Sequence, residues 1–135
     1  METRVADIMT VNIRAIGPDE TVGEAVRTLI DAGITGLPVV DSGRHLIGVL
    51  SSTDVLAALA ESDDADARRR IFDHTRVEEL MTHRVRSVGS QDNVIDAAEQ
   101  MLYLEVHRLF VVDDDVLVGV VTASDITRSV ALRKV

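Results

Sequence analysis

The sequence contains no cysteine, a single lysine (Lys134) and very few aromatic residues. Without cysteine, disulfide bonds, thiolate catalysis and cysteine-ligated zinc or iron–sulfur sites are excluded. Because Phe72, Tyr103 and Phe110 are the only aromatic residues, the core must consist of Val, Ile, Leu and Ala. The same scarcity argues against a protein that stacks the bases of single-stranded nucleic acid on exposed rings.

Charge and hydropathy exclude further classes of partner. The net charge of −9 opposes binding to DNA, RNA or anionic membranes. No apolar run approaches the roughly 20 residues of a membrane-spanning helix, and the first ten residues are rich in charge, so we expect a soluble, cytoplasmic protein. Almost all cations are arginine, which favours bidentate contacts with anions wherever arginines cluster; a bias in genome composition explains the same preference equally well.

The sequence contains two copies of one pattern. Residues 5–41 recur at 77–113, and residues 46–59 recur at 117–130. The offset changes by one residue between these blocks, in a turn. Identical pairs include Met9/Met81, Thr10/Thr82, Gly17/Gly89, Leu37/Leu109, Asp41/Asp113, Gly48/Gly119 and Asp54/Asp125. Self-similarity at a fixed period indicates a duplicated structural unit.

Each copy predicts the same order of elements. Apolar residues recur at helical spacing over 22–30 and 94–102, and Thr21 with Glu24 forms a capping-box start. Gly33 suits the end of the first of these helices. The apolar runs 37–40 and 46–50, matched by 109–112 and 116–121, predict two hairpins. A helix led by Ser51-x-x-Asp54 or Thr122-x-x-Asp125 follows each hairpin, so every copy runs strand, helix, strand, strand, helix.

The domain boundaries follow from the repeat. We expect residues 1–60 to form the first copy, 61–74 a linker and 75–135 the second copy. The linker is acidic first and basic second, which is typical of a solvated helix. A motif that binds a partner protein is the alternative.

Taken together, these motifs resemble a known family. The pattern D-I-M-T, G-I-T-G-L-P-V-V-D and L-I-G-V-L-S-S-T-D, repeated as E-L-M-T, V-H-R-L-F-V-V-D and L-V-G-V-V-T-A-S-D, is similar to a tandem pair of CBS domains. The resemblance covers nearly the whole chain, in order. It implies an α/β (α+β) fold of two β-α-β-β-α repeats, packed sheet to sheet with pseudo-twofold symmetry, and a homodimer that forms a disc of four repeats.

The resemblance also implies a function. Members bind AMP, ADP, ATP, S-adenosylmethionine or related adenosyl ligands in two clefts, and many regulate a protein partner. We therefore expect a sensor that requires no cofactor and binds no nucleic acid or membrane. The alternative is a ligand-free dimerisation or scaffold module.

The residues themselves offer suitable chemistry. A nucleotide cleft needs an acceptor for ribose hydroxyls, donors for phosphate and an apolar slot for the base. Asp54 and Asp125 lie in the first turn of a helix, where a carboxylate can accept both ribose hydroxyls. Ser51 and Thr122 lie at the helix N-terminus, where free backbone N–H groups and the helix dipole favour phosphate. The alternative is that both motifs only cap their helices.

The family's sites are composite, with the base slot from one repeat and the ribose carboxylate from the other. The resemblance implies phosphate contacts for His107 and Arg108, and Phe110 replaces the proline that the first copy keeps as Pro38, which would narrow one cleft. Arg14, Arg84 and Arg86 are further candidate phosphate donors, or solvated charges. Carried over, one site joins Thr10, Ile13, Ile34 and Thr35 to Thr122, Ser124 and Asp125, and the other joins Thr82, Val85, Val106 and His107 to Ser51, Thr53 and Asp54.

Two other kinds of site find little support. The four histidines, His45, His74, His83 and His107, lie in unrelated contexts and so predict no enzyme active site. The run Asp113-Asp114-Asp115 is better explained as a polar turn than as a cation site, because consecutive residues of a tight hairpin do not easily converge on one ion.

Overall fold

The computed structural model of the protein describes residues 2–83 and 85–132. These form two compact units: one runs from Arg14 to Val85, and the other combines the described residues up to Ile13 with those from Arg86 onward. The elements are α1 (Val5–Ile8), α2 (Val22–Ala32), β1 (Gly36–Val40), β2 (Leu46–Ser51), α3 (Ser52–Ala60), α4 (Ala65–His74), α5 (Val77–Leu80), β3 (Ser87–Val88), α6 (Val94–Leu104), β4 (Arg108–Asp113), β5 (Val116–Thr122) and α7 (Ala123–Ala131).

The unit from Arg14 to Val85 contains the predicted first hairpin. Strands β1 and β2 pair antiparallel, with a bulge between Val39 and Val40. The predicted linker contains helix α4, whose N-cap Asp64 accepts a hydrogen bond from Ala67 N at 2.8 Å. Helix α4 packs against α2, where a Cβ on Gly23 would lie 2.7 Å from the carbonyl oxygen of Phe72. Glycine therefore permits this close approach of two backbones.

The other unit contains the second hairpin on a three-stranded sheet in the order β3-β4-β5. Strand β3 pairs parallel with β4, and β4 pairs antiparallel with β5. Its bulge lies between Val111 and Val112, at the same place in the second copy as the bulge in the first. The prediction of two hairpins is therefore confirmed, and the structure adds that both hairpins have a bulge at the same position.

The first predicted strand of each copy is short. The first strand of the first copy is reduced to a single bridge, in which Ile16 pairs with Val39 through Ile16 N to Pro38 O (3.0 Å) and Val40 N to Ile16 O (2.9 Å). The pairing stops before Pro18, which has no N–H to donate. Its counterpart in the second copy, β3, is also short.

Each unit has an aliphatic core, and each core takes one valine from the other copy of the sequence. Val77, which starts α5 of the second copy, is fully buried in the core of the unit from Arg14 to Val85. Val5, which starts α1 of the first copy, is fully buried in the other core. The first core contains Ile16, Val22, Ala25, Leu29, Leu37, Val39, Leu50, Val55 and Val77, and the second contains Val5, Val88, Ala97, Met101, Leu109, Val111 and Val121.

The ends of α2 and α6 show how the copies diverge. Thr21 caps α2 by accepting a hydrogen bond from Glu24 N at 3.1 Å, and Gly33 ends it with φ of 65°. In the second copy Glu105 ends α6 in the same left-handed conformation, with φ of 56°. A side chain at a left-handed helix end costs free energy that glycine does not.

Candidate functional site

The carboxylate of Asp54 is held where β2 runs into α3. Ser51 donates to Oδ2 of Asp54 from its backbone nitrogen and from its hydroxyl, both at 2.9 Å, and Asp54 N donates back to Ser51 Oγ at 3.2 Å. This reciprocal pairing is a complete capping box. The box fixes the orientation of the carboxylate at the start of the helix.

Thr82 also reaches this carboxylate. Its hydroxyl donates to Asp54 Oδ1 at 3.2 Å and lies 3.5 Å from Oδ2. The bridge between Val49 and Thr82 places it there, with backbone hydrogen bonds of 3.0 and 2.8 Å in the two directions. The structure therefore brings together Thr82, Ser51 and Asp54 of the second predicted site.

The carboxylate of Asp125 has a related setting. Thr122 N donates to Asp125 Oδ2 at 2.9 Å, and Asp125 N donates to Thr122 Oγ1 at 3.0 Å, which completes a second capping box. The remaining oxygen, Oδ1, lies 3.4 Å from Nη1 of Arg128. Sequence reasoning missed Arg128, although its spacing of three residues from Asp125 on one helix was a usable signal.

The helix starts differ from the prediction of free backbone N–H groups. Ser52 N donates to Thr35 O at 2.9 Å, and Ala123 N donates to His107 O at 2.8 Å. The capping hydroxyls take the N–H groups of Asp54 and Asp125. The expectation of free donors is therefore wrong at these four groups, because the carbonyls just before β1 and β4 and the capping hydroxyls already accept their hydrogen bonds.

Two apolar grooves occupy matching places in the two copies. The groove between α6 and α7, about 470 Å³, includes Val106 and His107 in its lining. The groove between α2 and α3, about 320 Å³, includes Ile34 and Phe72 of α4 in its lining. Three predicted site residues thus lie beside grooves walled by aliphatic side chains.

The other predicted site residues are placed as follows. Thr10 is exposed and exchanges hydrogen bonds of 2.8 and 3.0 Å with Val120 of β5, while Arg108 begins β4 opposite Thr122. Ile13 and Val85 are half-buried, and Thr35, Thr53 and Ser124 are exposed, as are Arg14 and Arg86. Phe110 is buried on β4 opposite Val120. Arg84 lies outside the described residues. The composite sites join residues of both units and stay a prediction.

The acidic run forms a turn, as expected. Asp114 and Asp115 adopt φ of 51° and 66° between β4 and β5, which is the left-handed pair of a tight hairpin. Asp113 points back to Ser90, whose hydroxyl and backbone nitrogen donate to it at 2.6 and 3.0 Å. These hydrogen bonds lower the pKa of Asp113. Within residues 2–83 and 85–132, no cluster of three or more His, Asp or Glu could hold a metal ion.

The described helices also bear on membrane insertion. Among them, none combines the length and the hydrophobicity that spanning a bilayer requires.

Comparison with known proteins places these features in context. The family described as CBS domain matches residues 5–61 and again residues 77–132. Among solved structures, CBSX2 in complex with AMP is similar with a TM-score of 0.81 and 32% identity, covering 98% of each chain. The CBS domain pair of protein MJ0100, in complex with 5-methylthioadenosine and S-adenosyl-L-methionine, is similar with a TM-score of 0.78 and 29% identity, covering 98% of this chain and 99% of that one.

Some of the curated relatives are enzymes that are much longer than this chain. The chain is 31% identical to the chloroplastic CBS domain-containing protein CBSX2 of Arabidopsis thaliana, over 93% of this chain and 62% of that protein. It is 34% identical to inosine-5'-monophosphate dehydrogenase of Methanocaldococcus jannaschii, over 94% of this chain but 22% of the enzyme. The chain thus spans less than two thirds of the length of these relatives. One family matches both copies of the repeat, and the chain belongs to the CBS domain family as a tandem pair.

Proposed function

We propose that this chain is a regulatory module that binds an adenosyl ligand, such as AMP, ADP, ATP or S-adenosylmethionine, and signals its presence to a partner protein. The observation that carries the proposal is the repeated carboxylate at a helix start, Asp54 and Asp125, each oriented by a complete capping box. In both copies the capping box uses Oδ2 of the carboxylate, so Oδ1, with its two lone pairs, is the oxygen that can accept ribose hydroxyls.

The relatives support the choice of ligand. Solved structures of similar CBS pairs contain AMP in one case and 5-methylthioadenosine with S-adenosyl-L-methionine in another. All three molecules carry an adenosyl group and differ beyond it. The shared adenosine is therefore the part of the ligand that we assign to the clefts, with the ribose on Asp54 and Asp125.

We further propose composite clefts. Thr10, Ile13, Ile34 and Thr35 would complete the cleft of Asp125, and Val85, Val106 and His107 that of Asp54. Arg108, next to His107, would contact phosphate. Backbone N–H groups contribute less to phosphate binding than the sequence suggested, because Ser52, Asp54, Ala123 and Asp125 already donate theirs within the chain.

The test of this proposal is equilibrium dialysis of the purified chain against AMP, S-adenosylmethionine and GMP. GMP is the matched control, because it keeps the ribose and phosphate of AMP and changes only the base. Saturable binding of AMP or S-adenosylmethionine, with weaker binding of GMP, is the expected result. Equal binding of AMP and GMP, or no saturable binding of any ligand, would show that the adenosyl assignment is wrong.

We propose a role without catalysis. The relatives that are enzymes share only a small part of their length with this chain, 22% for the dehydrogenase and 24% for a homoserine O-acetyltransferase of Methanohalobium evestigatum. The described histidine–carboxylate pair, His45 with Asp41 at 3.0 Å, belongs to a turn, since Asp41 also accepts the backbone N–H groups of Gly43 and His45. A cytoplasmic location stays a prediction from the sequence.

A homodimer is the assembly that we propose. Ile30 on α2 is 72% exposed, and Leu102 and Tyr103 on α6 are 81% and 88% exposed. Ile30 and Leu102 occupy the same position in the two copies, so each repeat presents an apolar side chain beside its groove. Sedimentation should give a dimer for the wild-type chain and a monomer for Leu102→Glu, with Glu99→Gln as the control on the same helix. A monomeric wild-type chain would overturn this part of the proposal.

A ligand-free dimerisation module is the second candidate. The hydrogen bonds that favour it are those within the capping boxes, because Ser51–Asp54 and Thr122–Asp125 are satisfied without any ligand. Such a module would dimerise through the same apolar side chains and bind no adenosyl compound. The dialysis above distinguishes the two candidates.

A further inference from the structure

The two carboxylates proposed for ribose binding are held by donors of different charge. Asp54 accepts hydrogen bonds from neutral groups, the backbone and hydroxyl of Ser51 and the hydroxyl of Thr82. Asp125 accepts one from the backbone of Thr122, and its other oxygen faces the guanidinium of Arg128 at 3.4 Å. A hydroxyl turns away by rotating one bond, whereas a guanidinium attracts the carboxylate through its charge.

The repeat explains why this difference exists. Residues 46–59 align with 117–130, so the residue that matches Arg128 in the first copy is Ala57. The methyl side chain of alanine carries no hydrogen-bond donor and no charge to offer Asp54. Both helix starts have a complete capping box with the carboxylate at the third helical residue. A single substitution can therefore remove the arginine from the second copy, at Arg128, or introduce one into the first copy, at Ala57.

The surroundings of Asp125 limit how a ligand can approach it. Its side chain is only 11% exposed, while that of Arg128 is 65% exposed. Both line a small pocket of about 160 Å³ together with Asp7, Ile8, Ser129 and Leu132. Because Thr122 N already donates to Oδ2 and little of the side chain is accessible, a ribose hydroxyl and the guanidinium would compete for Oδ1.

We propose that Arg128 sets the affinity of the second cleft, by competing with the ribose hydroxyls of the ligand for Asp125. The inference rests on the proposed function, because it deepens the role of the same carboxylate. It follows that the Asp54 cleft binds a neutral nucleoside more tightly than the Asp125 cleft does. Arg128 is mostly exposed to solvent, and ion pairs that solvent screens change an equilibrium by about two- to fivefold, which is the size of the effect that we expect from Arg128.

The experiment uses adenosine, which has a ribose but no phosphate, and calorimetry on full chains. In an Asp54→Ala background only the Asp125 cleft keeps its carboxylate, and adding Arg128→Ala should tighten adenosine binding by about two- to fivefold. In an Asp125→Ala background, Ala57→Arg should weaken adenosine binding by a similar factor. Arg27→Ala, which removes an exposed arginine from α2, is the control and should leave both affinities unchanged.

Two results would overturn the inference. Adenosine affinity that is unchanged or weaker after Arg128→Ala shows that the guanidinium does not compete with ribose. A weaker affinity for AMP, with that for adenosine unchanged, shows instead that Arg128 contacts the phosphate.

A wild-type chain that binds none of adenosine, AMP and S-adenosylmethionine contradicts the proposed function. Where adenosine alone does not bind, the proposed function stands, and in either case a second measurement decides on Arg128. The NMR chemical shift of the carboxyl carbon of Asp125 should differ between the wild type and Arg128→Ala. Such a difference upholds the ion pair on which the inference depends. An unchanged shift shows that the pair does not form in solution and overturns the inference as well.

Discussion

The hydroxyl of Thr82 donates a hydrogen bond to the carboxylate of Asp54, with 3.2 Å between Oγ1 and Oδ1. The two residues are 28 positions apart and belong to different copies of the repeat, yet they lie in one compact unit. The bridge between Thr82 and Val49 of β2 makes this contact possible. The segment that opens the second copy thus completes the environment of the carboxylate of the first.

Replacing Asp125 tests the assignment of the ribose contact. Asp125→Ala should weaken the affinity for AMP or S-adenosylmethionine by about 10- to 100-fold at its cleft, because hydrogen bonds to a charged group contribute roughly 1.5–3 kcal/mol. The fold should survive with a loss of about 1 kcal/mol from the cap. Titration calorimetry in an Asp54→Ala background isolates this cleft.

The control for that substitution is Asp96→Ala, which removes an exposed carboxylate from the first turn of α6 in the same unit. It should leave affinity unchanged. Equal affinities for Asp125→Ala and Asp96→Ala would mean that Asp125 does not bind the ligand.

Gly119 allows the segment of Thr10 to lie against β5. A Cβ at this position would lie 2.7 Å from Thr10 O, a backbone atom that cannot move alone. Gly119→Ala should therefore destabilise the fold by about 1–3 kcal/mol, as measured by urea unfolding. Gly36→Ala is the control, since its Cβ would meet only a side-chain atom of Val49 at 3.7 Å, and it should change stability by less than about 0.5 kcal/mol. Similar losses for the two variants would refute this account of the packing.

Replacing Glu105 with glycine should stabilise the fold, whereas replacing Gly119 should destabilise it. It ends α6 with φ of 56°, where the first copy has Gly33 with φ of 65°. Glu105→Gly should raise the free energy of unfolding by about 1 kcal/mol, because glycine adopts this conformation without a steric cost. Gly33→Ala should lower it by a similar amount, although its Cβ would meet no atom within 4 Å. A destabilised Glu105→Gly variant would contradict the prediction.

The pair Ser90–Asp113 makes stability depend on pH. Hydrogen bonds from the hydroxyl and the backbone of Ser90 lower the pKa of Asp113 from its usual 3.8. The folded state therefore binds a proton less readily than the unfolded state, and the stabilisation is complete above the unfolded pKa. It is lost as the pH falls below about 4, through the folded pKa.

The free energies of urea unfolding of the wild-type chain and of Asp113→Asn should differ near pH 7, and the difference should shrink as the pH falls below about 4. Asp63→Asn, in the exposed segment between α3 and α4, is the matched control for the loss of one carboxylate. A difference between wild type and Asp113→Asn that persists unchanged at low pH would exclude ionisation of Asp113 as the cause.

Much of this structure could be predicted from local patterns. The hairpins, the helices that follow them and the end of α2 at Gly33 all arise from neighbours in sequence, through hydrophobic periodicity and capping. The capping boxes of Asp54 and Asp125 could be predicted from the sequence for the same reason. The duplication supplied a second, independent instance of each pattern.

What the sequence could not show depends on contacts between distant residues. Val5 and Val77 look like ordinary helix starts of their own copies, and only tertiary packing reveals that each fills the core that contains most of the other copy. The N–H groups of Ser52 and Ala123 looked free because the carbonyls of Thr35 and His107 that accept them lie across a hairpin. Arg128 and Asp125 are close in sequence. The first copy has Ala57 at the position of Arg128, so a comparison of the two copies does not point to this pair.

Ligand-induced thermal stabilisation tests the central claim most directly. Melting of the wild-type chain should be measured with AMP, ADP, ATP, S-adenosylmethionine and NAD, beside a variant that carries both Asp54→Ala and Asp125→Ala. A ligand that binds only the folded chain stabilises it by about 2.7 kcal/mol at 100 times its dissociation constant, so at least one adenosyl compound should raise the Tm of the wild type and not that of the variant. A wild-type Tm that no compound changes would contradict ligand sensing and leave the dimerising module as the explanation.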